Sequence, residues 1–512
     1  MRAERVHAAN AFAPLLDRLR GSAPRVLWNG GALDDAALGE RVRTLVDALA
    51  ASGARRFASR LDNGPDWLAL DLAIRALDAV HVPLPTFFSP AQIAHALTSS
   101  GADALIVPAI VPAGAALPDA FAACPALALD GHLTLLRLDP AAVALPAGTA
   151  CITFTSGTTG APKGVCLDAA SLLAVAQSLA DAAAPLAPKR HLCLMPLSTL
   201  LENVAGLYAA LISGAEIAVP PLAEVGYTGA SGLDVPTLIA CLHRYRPDSA
   251  ILLPQLLLAL VMAAEQGATL PDSLKFLAVG GGRVGPALLA RAEALGLPVY
   301  EGYGLSECAS VVCLNRPGAV RAGSVGRPLP HANVSVIDGE LFIEGVRCLG
   351  YLGGDPLPPG AIATGDLGHI DTDGFVHITG RRKNVFITSF GRNVSPEWVE
   401  SELLQHPAFA QAIVHGEAQP FNVAIVWPRR ADLDAAALLE ALNDVNRGLP
   451  DYAHVRDIVR ADAPFSFADG LLTSNGRPRR DAILARYRAA VDARYAAALE
   501  STAEPTASGV AA

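Results

Sequence analysis

The chain has 512 residues, 52% of them hydrophobic and 17% charged, with a formal net charge of −10. That length exceeds one ordinary hydrophobic core and predicts two or more domains, and the apolar content excludes a disordered chain. The acidic balance argues against a nucleic-acid binder, because no basic surplus exists to displace counterions from a phosphate backbone.

The eight cysteines, from Cys124 to Cys348, contain no C-x-x-C pair. Neither a zinc site nor a disulfide framework is expected, and a reducing cytoplasm is the simpler setting. The start mixes Ala, Phe and Leu with Asp17, Arg18 and Arg20, which suits an amphipathic helix and not a signal peptide. The most apolar stretch, Ile251 to Ala264, is broken by Pro254 and Gln255. It falls short of the roughly 20 residues that span a bilayer, so no integral membrane segment is expected; loose association through an apolar surface stays open.

From about residue 36 to 300, short apolar runs alternate with helical periodicity, as buried parallel strands in βαβ units require. Strands are expected at Val80 to Leu84, Ala104 to Val107, Cys151 to Thr155, His191 to Met195, Ile217 to Val219, Ala250 to Leu253, Phe276 to Val279 and Val299 to Glu301. Helices are expected at Asp34 to Ala51, Trp67 to Ala79, Ala169 to Ala183, Val235 to Tyr245 and Gly285 to Leu295. After about residue 320, runs such as Gly339 to Gly345 and Gly374 to Ile378 predict a small, mostly β subdomain. Beyond Gly380 a separate α+β unit is expected: a strand near Phe386, a helix from Pro396 to Gln405, strands near Ile413 and Val423, and a long helix after Ala431. The fold class is therefore α/β, a large multilayer N-terminal domain with a small β subdomain plus a smaller, mobile α+β C-terminal domain. The boundaries fall at 1–380, 381–500 and a disordered tail 501–512.

The segment Thr155-Ser156-Gly157-Thr158-Thr159-Gly160-Ala161-Pro162-Lys163 follows a predicted strand and leads toward the helix after Asp168. Hydroxyls and glycines let backbone N–H groups approach an anion, and the lysine adds a mobile positive charge, so polyphosphate binding is its natural use. By composition alone the run also suits an ordinary surface loop. It lacks the G-x-x-x-x-G-K-[ST] spacing of the nucleotide-hydrolase loop.

This run resembles the Thr-Ser-Gly-Thr-Thr-Gly-x-Pro-Lys-Gly signature of the adenylate-forming superfamily, and further matches follow in family order over nearly the whole chain. Ala79 to Pro85 looks like a strand and turn of its first α/β layer. Gly280-Gly281-Gly282-Arg283-Val284, at a strand end, resembles the segment along the adenine edge. Tyr303-Gly304-Leu305-Ser306-Glu307 resembles Tyr-Gly-x-Thr-Glu, which implies that Tyr303 stacks on adenine, Ser306 meets the α-phosphate and Glu307 holds Mg²⁺. Thr364-Gly365-Asp366 implies a ribose-binding aspartate, and Arg381 a cationic nucleotide contact.

By the same resemblance, Lys383 is the hinge of a rotating C-terminal domain, and Gly391 lines the tunnel for the acceptor thiol. Leu471 to Arg480 resembles Leu-Thr-x-x-Gly-Lys-x-x-Arg, but the adenylation lysine is replaced by Arg477, a cation of different shape and hydration. Met195 to Asn203 resembles the pocket-helix start of long-chain acyl-CoA synthetases, the nearest branch, and places Thr199, Leu200, Glu202 and Gly302 at the acyl pocket. No acid stands in Ser198 to Leu201 to pair a substrate ammonium.

The implied function is ATP- and Mg²⁺-dependent activation of a carboxylic acid, a medium- or long-chain fatty acid before an aryl or other small acid. Lys163, Glu307 and Arg477 act in catalysis, and the acyl group then passes to coenzyme A or carrier-protein phosphopantetheine. Arg477 also leaves a second reading, a catalytically reduced nucleotide-binding partner module; Lys163, Glu307, Asp366 and Arg381 stand against it.

Overall fold

The computed structural model describes residues 10–19, 24–110, 121, 124–155, 163–228, 232–354, 357–473 and 476–503. Two large sheets form the N-terminal part. One has nine strands and the other eight, and both have parallel centres. In the first, Glu216–Ala218, Arg190–Leu192, Ser249–Leu252, Phe276–Val279 and Val299–Leu305 lie side by side in parallel. In the second, Ala104–Pro108, Arg56–Ser59, Val80–Pro83 and Cys151–Thr155 do the same. Their apolar runs are buried on both faces, as crossover helices on both sides demand: Ser249–Leu252 is buried throughout.

The helices follow their start and stop signals. Asp34 caps Asp35–Ser52 by accepting from Ala37 N, and Gly53 ends it in the left-handed conformation. Ser89 and Gln92 form a reciprocal capping box for Pro90–Ser100. Helix Ala169–Ala183 with the turn after it is long and apolar enough to cross a membrane, a stretch distinct from Ile251 to Ala264. Here Leu172, Val175, Ala176 and Leu179 pack into the core between the sheets.

A four-stranded antiparallel sheet, Ala332–Ile337, Glu340–Gly345, Ile362–Ile370 and Val376–Arg381, forms the β subdomain. Its last strand leads into the C-terminal unit, whose sheet holds Phe409–His415, Asn422–Pro428 and Val455–Arg460. Helix Pro396–Gln405 of that unit packs on helix Pro286–Ala294 of the large domain. The contact is close: a Cβ on Gly285 would stand 1.7 Å from Gln405 Nε2.

Two expectations need correction. The helix after Ala431 is Ala435–Asn446, 12 residues, whereas the long helix is Arg480–Ala503, 24 residues. That helix carries Ser501 to Ala503, so the boundary at 500 cuts an element; residues 504–512 of the expected tail lie outside the described residues. Strand Lys163–Leu167 was also not anticipated, because a run following Gly, Pro and Lys reads as loop.

Candidate active site

The phosphate-loop segment closes a hairpin. Strands Cys151–Thr155 and Lys163–Leu167 pair antiparallel, with Thr155 opposite Lys163. Ser156, Gly157, Thr158, Thr159 and Gly160 lie outside the described residues, as does the Thr155 side chain. Past the loop, Tyr351 N and its neighbours add an edge to the same sheet, with Tyr351 opposite Val165. Gly164 admits this approach, since a Cβ there would meet Leu352 Cδ1 at 2.3 Å.

Tyr351 then links the two residues expected to handle phosphate and metal. Its hydroxyl donates to Glu307 Oε1 at 2.8 Å, and Lys163 Nζ lies 5.9 Å from its ring centroid. Burial pushes the Tyr351 hydroxyl up, with Glu307 adding to the shift, so it remains a donor. Glu307 sits on the short turn Ser306–Cys308 that ends strand Val299–Leu305, and its carbonyl accepts from Cys348 N at 2.6 Å. A half-buried carboxylate with a single such side-chain donor among the described residues keeps hard-oxygen capacity, and Mg²⁺ needs only one or two protein carboxylates beside phosphate and water. The donor chemistry fits the ion.

The second polar group is built on Asp366, 4% exposed, in strand Ile362–Ile370. Tyr303 Oη donates to its Oδ2 at 2.6 Å and Arg381 Nε to its Oδ1 at 2.7 Å. Asp366 and Arg381 are direct register partners across two strands, which explains the precision of the pair. Burial, with Asp366 adding, pushes the Tyr303 hydroxyl far up. Each carboxylate oxygen carries two lone pairs, so Asp366 can still accept from ribose hydroxyls.

The glycines hold backbones close. Gly281 takes φ +77°, and a Cβ there would stand 3.0 Å from Leu253 Cδ2 and 3.4 Å from Leu201 Cδ2. At Gly302 a Cβ would meet Leu314 Cδ1 at 3.0 Å, and at Gly304 the Ser310 carbonyl at 1.9 Å. Gly282 faces Pro254 at 3.4 Å. Ser306 opens the turn carrying Glu307.

From the C-terminal unit, Arg477 Nη2 donates to Gly281 O at 2.5 Å. The side chain is solvent-exposed where the two domains meet. The surrounding protein lowers its pKa, with Arg381 adding and Asp366 and Glu307 opposing. A guanidinium remains charged under such a shift. The chain thus brings Arg477, Gly281, Asp366, Arg381 and Glu307 into one electrostatic neighbourhood.

Lys383 follows strand Val376–Arg381 and lines a cavity of about 340 Å³ with Thr364, Gly365, Arg381 and Arg382. Burial lowers its pKa, and Arg381 adds to the effect. Gly391, φ +71°, stands at the turn of hairpin Phe386–Ile387 and Asn393–Val394 beside Phe390, which is 75% exposed. The structure does not bring it to the nucleotide residues.

The acyl-pocket expectations are partly redirected. Thr199 starts the pocket helix, its hydroxyl donating to Pro196 O at 2.7 Å. Leu200 packs into the core between the sheets, whereas Leu201 is the leucine that faces Gly281. Glu202 is no open wall. It is fully buried, 3.0 Å from His191 Nε2, and accepts from Met195 N at 2.9 Å. His191, Cys193 and Glu202 present ligand atoms within 4.8 Å of one another, but the carboxylate is already engaged by these bonds.

Tyr351 and Glu301 were not expected at the site, and Arg283 was expected only as part of the glycine segment. Arg283 Nη1 donates to Ile378 O at 3.2 Å, in the strand that leads to Lys383. Burial pushes the Glu301 carboxyl up to about 8, opposed by Arg283 and by Val284 N. Gly350-Tyr351 after Arg347 was the only available signal for the first; the other two are revealed by packing alone.

Comparison with known proteins accords with this geometry. The pattern of the AMP-binding enzyme family matches residues 25–352, and that of the AMP-binding enzyme C-terminal domain matches residues 383–499. The chain is similar to the long-chain-fatty-acid–CoA ligase FadD15 of Mycobacterium tuberculosis, 27% identical over 84% of this chain and 86% of the relative. It is also similar to the 2-succinylbenzoate–CoA ligase of Bacillus subtilis, 28% identical over 52% and 56%. Among solved structures, the anthranilate CoA ligase AuaEII with anthranoyl-AMP superposes with a TM-score of 0.76 at 19% identity, over 94% and 98% of the two chains. O-succinylbenzoate coenzyme A synthetase of Bacillus subtilis with ATP and magnesium gives 0.71 at 22%, over 92% and 98%. These last two likenesses establish the fold. The chain belongs to the AMP-binding enzyme family and carries both its large domain and its C-terminal domain.

Proposed function

We propose that this AMP-forming acid–thiol ligase activates an apolar, medium- or long-chain carboxylic acid and passes it to coenzyme A. The observation that carries the reading is the meeting of Arg477 with Gly281 near the Tyr303–Asp366–Arg381 group, which brings charge from both domains together. The apolar contacts of Leu201 and Leu253 at Gly281 favour an apolar acid. FadD15, named for long-chain fatty acids, also aligns along most of its length.

A carboxylate attacking the α-phosphorus of ATP brings two anions together, so positive charge and in-line positioning must be supplied beforehand. Asp366 binds the ribose, Tyr303 covers the adenine, and Ser306 with the loop from Thr155 to Gly160 holds phosphate. Lys163 and Arg477 balance the negative charge as the acyl–oxygen–phosphorus bond forms and pyrophosphate leaves. Glu307 would hold Mg²⁺, which would supply further neutralisation of the phosphate oxygens. Rotation about Lys383 then withdraws Arg477 and carries Gly391 to the cleft, where the thiol attacks the acyl carbon and AMP departs.

Trapping with hydroxylamine across fatty, aromatic and amino acids tests the first half: ATP-dependent hydroxamate should form best with a fatty acid. No hydroxamate with any acid, beside an active control ligase, would defeat the reading. Offering coenzyme A and a pantetheine-loaded carrier protein in parallel tests the second.

A further inference from the structure

Outside the nucleotide cleft, two buried polar clusters end on the pocket helix Leu201–Tyr208. This helix is π-wound over all eight residues, a winding that is rare and needs support from outside the helix. The first cluster grips its start. Glu202 meets His191 Nε2 and Met195 N, and His191 Nδ1 lies 3.1 Å from Ser249 Oγ. Gly206 makes the space: a Cβ there would stand 2.2 Å from Glu202 Oε1 and 2.7 Å from His191 Nε2.

The second cluster grips the end. The Tyr208 hydroxyl donates to Asp71 Oδ2 and accepts from Arg75 Nε at 3.1 Å. His81 Nδ1 lies 2.6 Å from Asp71 Oδ1, and His81 Nε2 lies 2.7 Å from Ser59 Oγ. Ser59, His81 and Asp71 have the order of a hydrolytic triad, but exposures of 1%, 0% and 0% leave no access for a substrate. Arg75 Nη1 completes the cluster on Ala150 O at 2.5 Å. Such buried networks are rigid when every member is satisfied, and they specify one arrangement of the elements they join.

Leu201, next to Gly281, directly precedes the first grip and Ala205 lies between the two, and both pack against the hydrophobic clusters on either side of the sheet. We propose that Glu202–His191 and Tyr208–Asp71 are paired positioning anchors that hold the pocket helix in its π-wound form and thereby set the width of the acid-binding cleft at Leu201. The inference rests on the reading of that cleft as the acid site. A slip back to α winding would rotate Leu201 relative to Gly281 and change which acyl groups fit.

Two near-isosteric variants test it. Tyr208→Phe keeps the edge-on ring contact with Phe12 at 5.2 Å and removes only the hydroxyl; Glu202→Gln keeps shape and an acceptor oxygen. Acid-dependent pyrophosphate release is measured over straight-chain acids of graded length and over aromatic acids. Each variant should raise KM for the best wild-type acid about tenfold and shift the preferred size, leaving KM for ATP within about twofold. Unchanged acid KM and size profile in both variants, or a parallel rise in KM for ATP, would overturn the anchors. Should either variant melt too early, Ser249→Ala loosens the first anchor more gently and should move the profile in the same direction. Hydrogen exchange separates the anchors from the functional reading: amides of 201–208 should exchange faster in the variants even if the wild type activates no acid tested, and unaltered exchange there would count against the anchors.

Discussion

On the face of the cleft proposed for the nucleotide, Tyr303, Asp366 and Arg381 are joined by charge-assisted bonds of 2.6 and 2.7 Å, whereas on the face proposed for the acid the apolar Leu201 and Leu253 leave no room for a side chain at Gly281. The first face is specified by which side chains are present. The second is specified by where a helix sits, and that position is fixed by buried groups that touch no substrate. Changes on the first face should therefore cost rate with every acid, and changes on the second should redistribute preference among acids.

The largest expected effect is at Asp366. Asp366→Ala removes the proposed ribose acceptor and the carboxylate that Arg381 pairs with, so kcat/KM for pyrophosphate release should fall on the order of 10²-fold or more with an unchanged acid profile. A changed profile would break the division between the faces. Glu307→Gln should come next, raising the Mg²⁺ concentration for half-maximal rate about 10- to 100-fold. A magnesium titration checks it, and an unmoved midpoint would remove Glu307 from the metal. Leu201→Ala should shift preference toward bulkier acids by roughly 10-fold while leaving KM for ATP alone, which competition between paired acids measures.

The smallest effect concerns stability. Glu301 has a folded pKa raised from 4.5 to about 8, so between those values the unfolded chain has released a proton that the folded chain retains. Stability from this group is therefore complete below about pH 4.5 and is lost as pH rises toward about 8. Glu301→Gln should raise Tm at pH 8 and leave it nearly unchanged at pH 4. An equal shift at both values would show that Glu301 acts through packing instead.

The contrast between faces also governs what the sequence discloses. Lys163, Tyr303, Glu307, Asp366 and Arg477 were legible because each lies in a short motif, although apart from Asp366 in register opposite Arg381 their partners come from distant parts of the chain. Buried parallel strands were legible from their apolar runs, whereas Lys163–Leu167 was not, since its pairing with Cys151–Thr155 is set by a hairpin whose loop looks like phosphate-binding sequence. Glu202 illustrates the limit. A carboxylate at a pocket helix reads as a substrate contact, and only the fold shows His191 and Met195 already holding it. Leu200 and Leu201 are chemically the same in sequence, and only the fold shows that Leu201 is the one beside Gly281.

The most direct test of the account concerns Arg477, the cation that closes the cleft from the second domain. Arg477→Ala should be compared with wild type in two separate steps: acid-dependent pyrophosphate release, and thioester formation from supplied acyl-adenylate and coenzyme A. The account predicts a loss on the order of 10²-fold in the first and little change in the second. Equal losses in both steps, or full pyrophosphate release without Arg477, would contradict it.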